Sequence, residues 1–158
     1  MKIRLLVSLF LVMLLLTGTA MAAKPVINAD KTYFDITSGL YVLEGNVYVE
    51  VGSRIVRAHK AKVSIGSLEV WATGGVTLTQ DDITFTGGDV YVYGTQKRAQ
   101  IDGGVVLNRN EKTIRADSVD FNWGTKTAIF TGNVVVNDGD NVIEKSVIGY
   151  DVANNKII

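Results

Sequence analysis

From Ile27 onward, apolar and polar residues alternate with a period of two. In the best-defined stretch Leu43, Gly45, Val47, Val49 and Val51 stand against Glu44, Asn46, Tyr48 and Glu50. The same parity returns as Ala72, Gly74, Val76, Leu78, as Ile101, Gly103, Val105, Leu107, and as Phe130, Gly132, Val134, Val136. Strict alternation predicts half-buried strands with one apolar face. A glycine at the middle of that face in every copy marks a place where the sheet bends sharply, so the four together predict a crease. The companion strands slip by one residue at their middles: Ile27, Ala29 then Thr32, Phe34; Val56, Ala58 then Ala61, Val63; Ile114, Ala116 then Val119, Phe121; Ile143 then Ile148, Tyr150. A bulge or corner at a fixed position does this. No helix is required anywhere beyond Ala23.

The pattern is periodic. Gly45-Asn46-Val47, Gly74-Gly75-Val76, Gly103-Gly104-Val105 and Gly132-Asn133-Val134 recur with a constant period of 29, and Ile27, Val56, Phe85, Ile114 and Ile143 keep the same step. One supersecondary unit stacked on copies of itself is implied. Gly52, Asp81, Asn110 and Gly139 share the spacing, and these residue types tolerate the left-handed backbone of a tight reversal. Each unit is therefore two strands of about 11 residues, creased near their middles. About nine strands at ~4.8 Å spacing make an array roughly 40 Å long, V-shaped or flattened in section, with an apolar inner surface.

The first residues stand outside this pattern. Lys2 and Arg4 precede an apolar run from Leu5 to Leu16 and the small-residue site Ala20-Met21-Ala22, which together read as a secretory signal peptide over 1–22, cleaved after Ala22 or Ala23. An uncleaved anchor is the alternative, although the run is short for a span of roughly 20 residues. Without the leader the formal balance moves from zero to about −2, since two cations and no acids are lost. No basic footprint for nucleic acid exists. The chain has no cysteine, which excludes a disulfide framework and a lipid-modified cysteine, and suits an oxidising compartment. Residues 24–158 read as one domain, with no Pro-rich or Ser-rich linker.

Side chains with chemical potential are sparse. His59, the single histidine, lies on the outward parity with no second ligand, which argues against a metal or catalytic role. Asp30 and Asp117 recur at the bend, and Asp81-Asp82 and Asp138 to Asp140 lie at turns, where acids commonly cap the backbone. Arg54, Arg57, Lys60 and Lys62 form a short basic cluster, a solvated face or a meeting point for phosphates. Trp71 and Trp123 fit packing, exposure or contact with an apolar ligand. A parallel β-helix enzyme needs acids or bases aligned on one face, and the repeats supply none; two reversals per unit suit antiparallel pairing better.

The phrases Ala29-Asp30 with Tyr33-Phe34-Asp35, Gly45-Asn46-Val47, Ile114-Arg115-Ala116-Asp117 and Phe130-Thr131-Gly132-Asn133-Val134 resemble the OstA-like lipopolysaccharide-transport family, in particular its periplasmic LptA type. The resemblance spans nearly all of residues 24–158. It implies an all-β, creased antiparallel β-jellyroll (a β-taco), open at both ends, whose interior holds the acyl chains of lipid A. It also implies pairing with related jellyroll domains at the inner and outer membranes, and head-to-tail homo-oligomers. A membrane-anchored relative is implied instead if the leader is retained. By parity, the residues expected to touch acyl chains are Ile27, Phe34, Leu43, Val47, Val49, Val76, Leu78, Phe85, Ile101, Val105, Leu107, Ile114, Phe121, Phe130 and Val134. No cofactor and no catalysis are expected. The rival reading is a structural, self-assembling β-solenoid scaffold, which shares the repeats and the sticky ends and differs only in what fills the interior.

Overall fold

The hairpins at the repeated Gly/Asp/Asn position all turn on a residue with a left-handed backbone. A computed structural model describes residues 24–139 and 141–158; the leader, its cleavage site and Asp140 lie outside the described residues. Gly52, Asp81, Asn110 and Gly139 have φ of 62°, 51°, 51° and 63°, as the sequence spacing predicts. The strands are β1 (Val26–Asn28), β2 (Lys31–Asp35), β3 (Leu40–Val51), β4 (Arg54–Ser64), β5 (Glu69–Gln80), β6 (Ile83–Tyr93), β7 (Arg98–Arg109), β8 (Lys112–Asn122), β9 (Thr127–Asp138), β10 (Asn141–Asp151) and β11 (Lys156–Ile157). From β3 to β10 the odd and the even strands each advance along the chain by the period of the repeat. All pair antiparallel in one sheet ordered β1-β3-β4-β5-β6-β7-β8-β9-β10-β11, with β2 also on β3.

Among the described residues eleven strands form, where about nine were expected. The first is broken at the crease into β1 and β2, which bond to the two halves of β3, and a short β11 closes on β10.

The crease lies where the pattern puts it. Between β3 and β4 the register passes from Glu44↔Lys60 to Val47↔Ala58, so Gly45 and Asn46 on one strand oppose His59 on the other. Gly74-Gly75, Gly103-Gly104 and Gly132-Asn133 repeat the device, each with two consecutive residues at positive φ. Two left-handed residues in succession turn the strand through a corner, which glycine and asparagine tolerate best. In two cycles an aspartate pins the corner: Asn46 Nδ2 donates to Asp30 Oδ2 at 2.9 Å, and Asn133 Nδ2 to Asp117 Oδ2 at 2.9 Å. His59 packs its Cβ under Gly74 instead.

The crease divides the sheet into two leaves. Leaf 1 carries the turns at Gly52, Asp81, Asn110 and Gly139, and leaf 2 carries those at 65–68, 94–97, 123–126 and 152–155. Their inner faces pack on each other. Phe85 of β6 in leaf 1 meets Phe121 of β8 and Phe130 of β9 in leaf 2, at ring-centroid distances of 5.1 and 6.4 Å. The leaves are thus staggered by two or three strands, as twisted sheets packed face to face become.

Candidate functional site

The interior between the leaves is the extended apolar surface that the alternation builds, and it runs the length of the array. Of the fifteen residues assigned inward, thirteen are buried in a single cluster: Leu43, Val47, Val49, Val76, Leu78, Phe85, Ile101, Val105, Leu107, Ile114, Phe121, Phe130 and Val134. Ile27 is half-buried at the first edge. Phe34 is 50% exposed. Its pairing with Tyr41 places it on the inner face, but the stagger leaves the first strands of leaf 2 with no leaf opposite, and the two rings lean on each other at 5.1 Å. The mirror situation holds at the other end, where Ile143 of leaf 1 is 38% exposed. The cluster also takes in Val63, Val70, Ile83, Val90, Val119 and Ile148. Parity points to these as well, to Val70 and Ile83 directly and to Val63, Val90, Val119 and Ile148 once the one-residue slip of the companion strands is applied.

The interior is filled. Side chains from the two leaves share one buried cluster, and the gap between the leaves narrows to an apolar cleft of about 60 Å³ lined by Val49, Val51, Val56, Leu68, Val70, Leu78, Val92 and Trp123, with Arg54 at its edge. Water occupies about 30 Å³ in the liquid, so this is no ready-made channel.

What closes the mouth of the V is a seam of cations reaching from leaf 1 to leaf 2. Arg109 donates to Tyr150 Oη at 3.2 Å and to the Val152 carbonyl oxygen, while its Nε holds Asp82 at 2.7 Å. Lys112, buried to 7% exposure, donates to the Asn155 carbonyl oxygen at 3.0 Å and pairs with Asp138 at 3.0 Å. The Arg54 guanidinium lies over the Trp123 ring, 4.7 Å from its centroid. Hydrogen bonds and the adjacent Asp82 raise the Arg109 pKa, Tyr150 acting most strongly; burial lowers that of Arg54, against the pull of Asp81.

The sequence reading missed this seam, although parity contains it. Arg109 is two residues past Leu107, Lys112 two before Ile114, and Arg54 two before Val56, so all three are inward cations at strand ends. The basic cluster is accordingly split: Arg57, Lys60 and Lys62 point outward and are exposed, and Arg54 turns to the mouth. Trp71 sits on the outer face against Tyr91 at 4.9 Å, and Trp123 on the rim. Among the described residues no group of three His, Cys, Asp or Glu side chains converges as a metal site.

A single antiparallel sheet, creased on glycines into two leaves around a continuous apolar interior, defines a β-jellyroll of the open-ended type. Residues 66–156 match the family model for the LptA/(LptD N-terminal domain) LPS transport protein, more than half of the chain, and the chain belongs to that family. Among solved structures it is similar to LptH of Pseudomonas aeruginosa, the LptA-homologous periplasmic component of the conserved lipopolysaccharide transport device. The two are 16% identical over 77% of this chain and 93% of that one, with a TM-score of 0.58. No curated protein sequence matches.

Proposed function

We propose that this member of the lipopolysaccharide-transport family is a periplasmic carrier that shields the acyl chains of lipid A between its two leaves and joins a bridge from inner to outer membrane. The observation that supports this is the unbroken apolar interior, which extends from β3 to β10; among the described residues Lys112, at its rim, is the one charged side chain in the buried set. Each buried methylene is worth ~0.8 kcal/mol, so a chain of about a dozen carbons costs on the order of 10 kcal/mol to expose. A path without an apolar gap avoids that cost at every step. The thirteen buried inward residues, with Ile27 and Phe34 at the first mouth, are the acyl contacts in this reading.

Both ends offer strand edges. β1 and β2 are the first edge, and β11 with Ile158 covers β10 only over Gly149–Asp151, leaving Asn141–Val147 without a partner beyond β9 among the described residues. Unpaired edges invite strand addition, which supports docking to related jellyroll domains and head-to-tail copies. In this reading residues 1–22 are a cleaved signal peptide, residues 24–158 are the working domain, and the cycle contains no catalytic step and no cofactor.

The test is native mass spectrometry of protein purified gently from a periplasm, followed by lipid extraction. Co-purifying lipopolysaccharide that is lost in Val105→Asp, which puts an unpaired charge among buried side chains, supports the carrier. A protein that arrives without lipid and takes up no labelled lipopolysaccharide refutes it and leaves a self-assembling scaffold.

A further inference from the structure

The seam is uneven, and its weak part is chemically distinct. On the side of β10 and β11 the cations that cross the mouth are neutralised, Arg109 by Asp82 and Lys112 by Asp138, and both also bind main-chain oxygens of the opposite leaf. Arg54 has none of this. Among the described residues no carboxylate lies within salt-bridge distance of it; its contact across the mouth is the Trp123 ring, and Asp81 acts on it only at longer range. Lys97 and Lys126 stand on the same stretch of rim. The Trp123 amide donates to the Lys97 carbonyl oxygen, the Lys97 side chain runs alongside Gly124, and Lys126 lines the adjoining cavity of about 170 Å³ together with Trp123, Asp81 and Asp82. Asp82 is already taken by Arg109.

Directly beneath Arg54 lies the apolar cleft between the leaves. A partly desolvated cation without an anion, above a slot lined by valine and leucine, is matched by one kind of ligand: an anionic group carried on a hydrocarbon chain. Opening the mouth here costs a ring stacking worth ~0.5–2 kcal/mol. At Arg109 or Lys112 it breaks charge-assisted hydrogen bonds to Tyr150 and to main-chain oxygens of leaf 2, which are of comparable or greater worth.

We infer that Arg54 is the anion subsite of the interior, taking the phosphate or carboxylate of an anionic amphiphile in place of the Trp123 ring while the chain passes into the cleft. This rests on the reading of the interior as an acyl-chain site and adds where loading begins and what head group it selects.

Trp71 and Trp123 are the two tryptophans, so in a Trp71→Phe background the emission of Trp123 reports on this rim. Dodecyl phosphate, dodecyl maltoside and inorganic phosphate are titrated below the micellar range. Dodecyl phosphate is expected to bind at least about tenfold more tightly than the maltoside. Arg54→Gln removes that preference with the maltoside affinity unchanged within twofold, Arg54→Lys keeps most of it, and Lys112→Gln retains it. The proposal falls if Arg54→Gln, folded by circular dichroism, still prefers the phosphate. It also falls if inorganic phosphate binds as tightly as dodecyl phosphate, since the site then reads a free anion. If neither amphiphile binds the native protein, the acyl-chain reading itself fails and takes this one with it.

Discussion

Phe85 joins the two leaves through two ring contacts, and truncating it measures whether the interior is closed in solution. Its ring is buried against Phe121 and Phe130 from the opposite leaf. Phe→Ala at such a site costs about 3–5 kcal/mol, from lost transfer energy and the cavity left behind. Against a total stability of ~5–15 kcal/mol this is a large fraction. With a urea slope of ~2 kcal/mol per molar, the midpoint for Phe85→Ala falls by roughly 1.5–2.5 M at unchanged slope. Ile129→Ala, on the exposed outer face, serves as control and shifts stability by no more than about 0.5 kcal/mol. Adding a dodecyl amphiphile at a hundred times its Kd then restores about 2.7 kcal/mol by linkage. A Phe85→Ala loss below about 1 kcal/mol in lipid-free protein would falsify the packed interior, because leaves already apart have little contact there to lose.

Three further outcomes follow from the geometry. Gly132→Ala destabilises more than Gly104→Ala in chemical denaturation: both residues have φ near 80° and pay ~1–2 kcal/mol of left-handed strain, but the new Cβ at 132 also strikes the Asp117 carboxylate, while nothing lies within 4 Å at 104; equal losses would show that the aspartate does not pin the corner. Arg109→Met, which cuts the ties to Tyr150 and Val152, speeds uptake of a fluorescent fatty acid in stopped flow, and an unchanged rate means that the seam does not govern admission. The side chain and backbone amide of Asn154, both donating to Asp151, hold that carboxyl below its ordinary 3.8. A lowered folded value contributes above the unfolded pKa and is lost as pH falls through the folded one, so amide protection at Asn154 is flat above about pH 4 and fades as acid protonates the carboxyl; protection that does not change when Asp151 titrates contradicts this.

Much of this architecture is legible in the sequence because it rests on two short-range rules. Alternation tells which side of a strand is inward, and a Gly, Asn or Asp recurring with a period of 29 tells where the chain reverses and where it folds over. Corners at Gly45-Asn46 and His59 follow from parity on the two strands separately, before any pairing is known. What parity does not contain is how far one leaf slides over the other. That offset comes from sheet twist accumulated over the whole stack, and it decides that Phe34 is exposed while Phe121, at the same position three repeats on, is not. The seam was missed for a related reason. Arg54, Arg109 and Lys112 are inward by parity, but which rim residue each meets depends on the same offset.

The filled interior and the lipid-transport role are consistent once the energy of an empty groove is considered. A slot left open between leaves, exposing about 400 Å² of apolar surface, would cost on the order of 10 kcal/mol at ~25 cal/mol per Å², as much as the whole stability of a typical domain. Lipid-free leaves must therefore close on each other. Under the proposed carrier function, an incoming chain of a dozen carbons gains a similar ~10 kcal/mol by leaving water, so loading would exchange one apolar contact for another with little net change in the core. When the large terms nearly cancel, the small ones decide. Those are the rim contacts: the charge-assisted hydrogen bonds of Arg109 and Lys112 to leaf 2, which hold the mouth near β10, and the lone stacking of Arg54 on Trp123, which is weaker. The exchange should then begin at Arg54 and spread along the array, the leaves parting from one side rather than all at once.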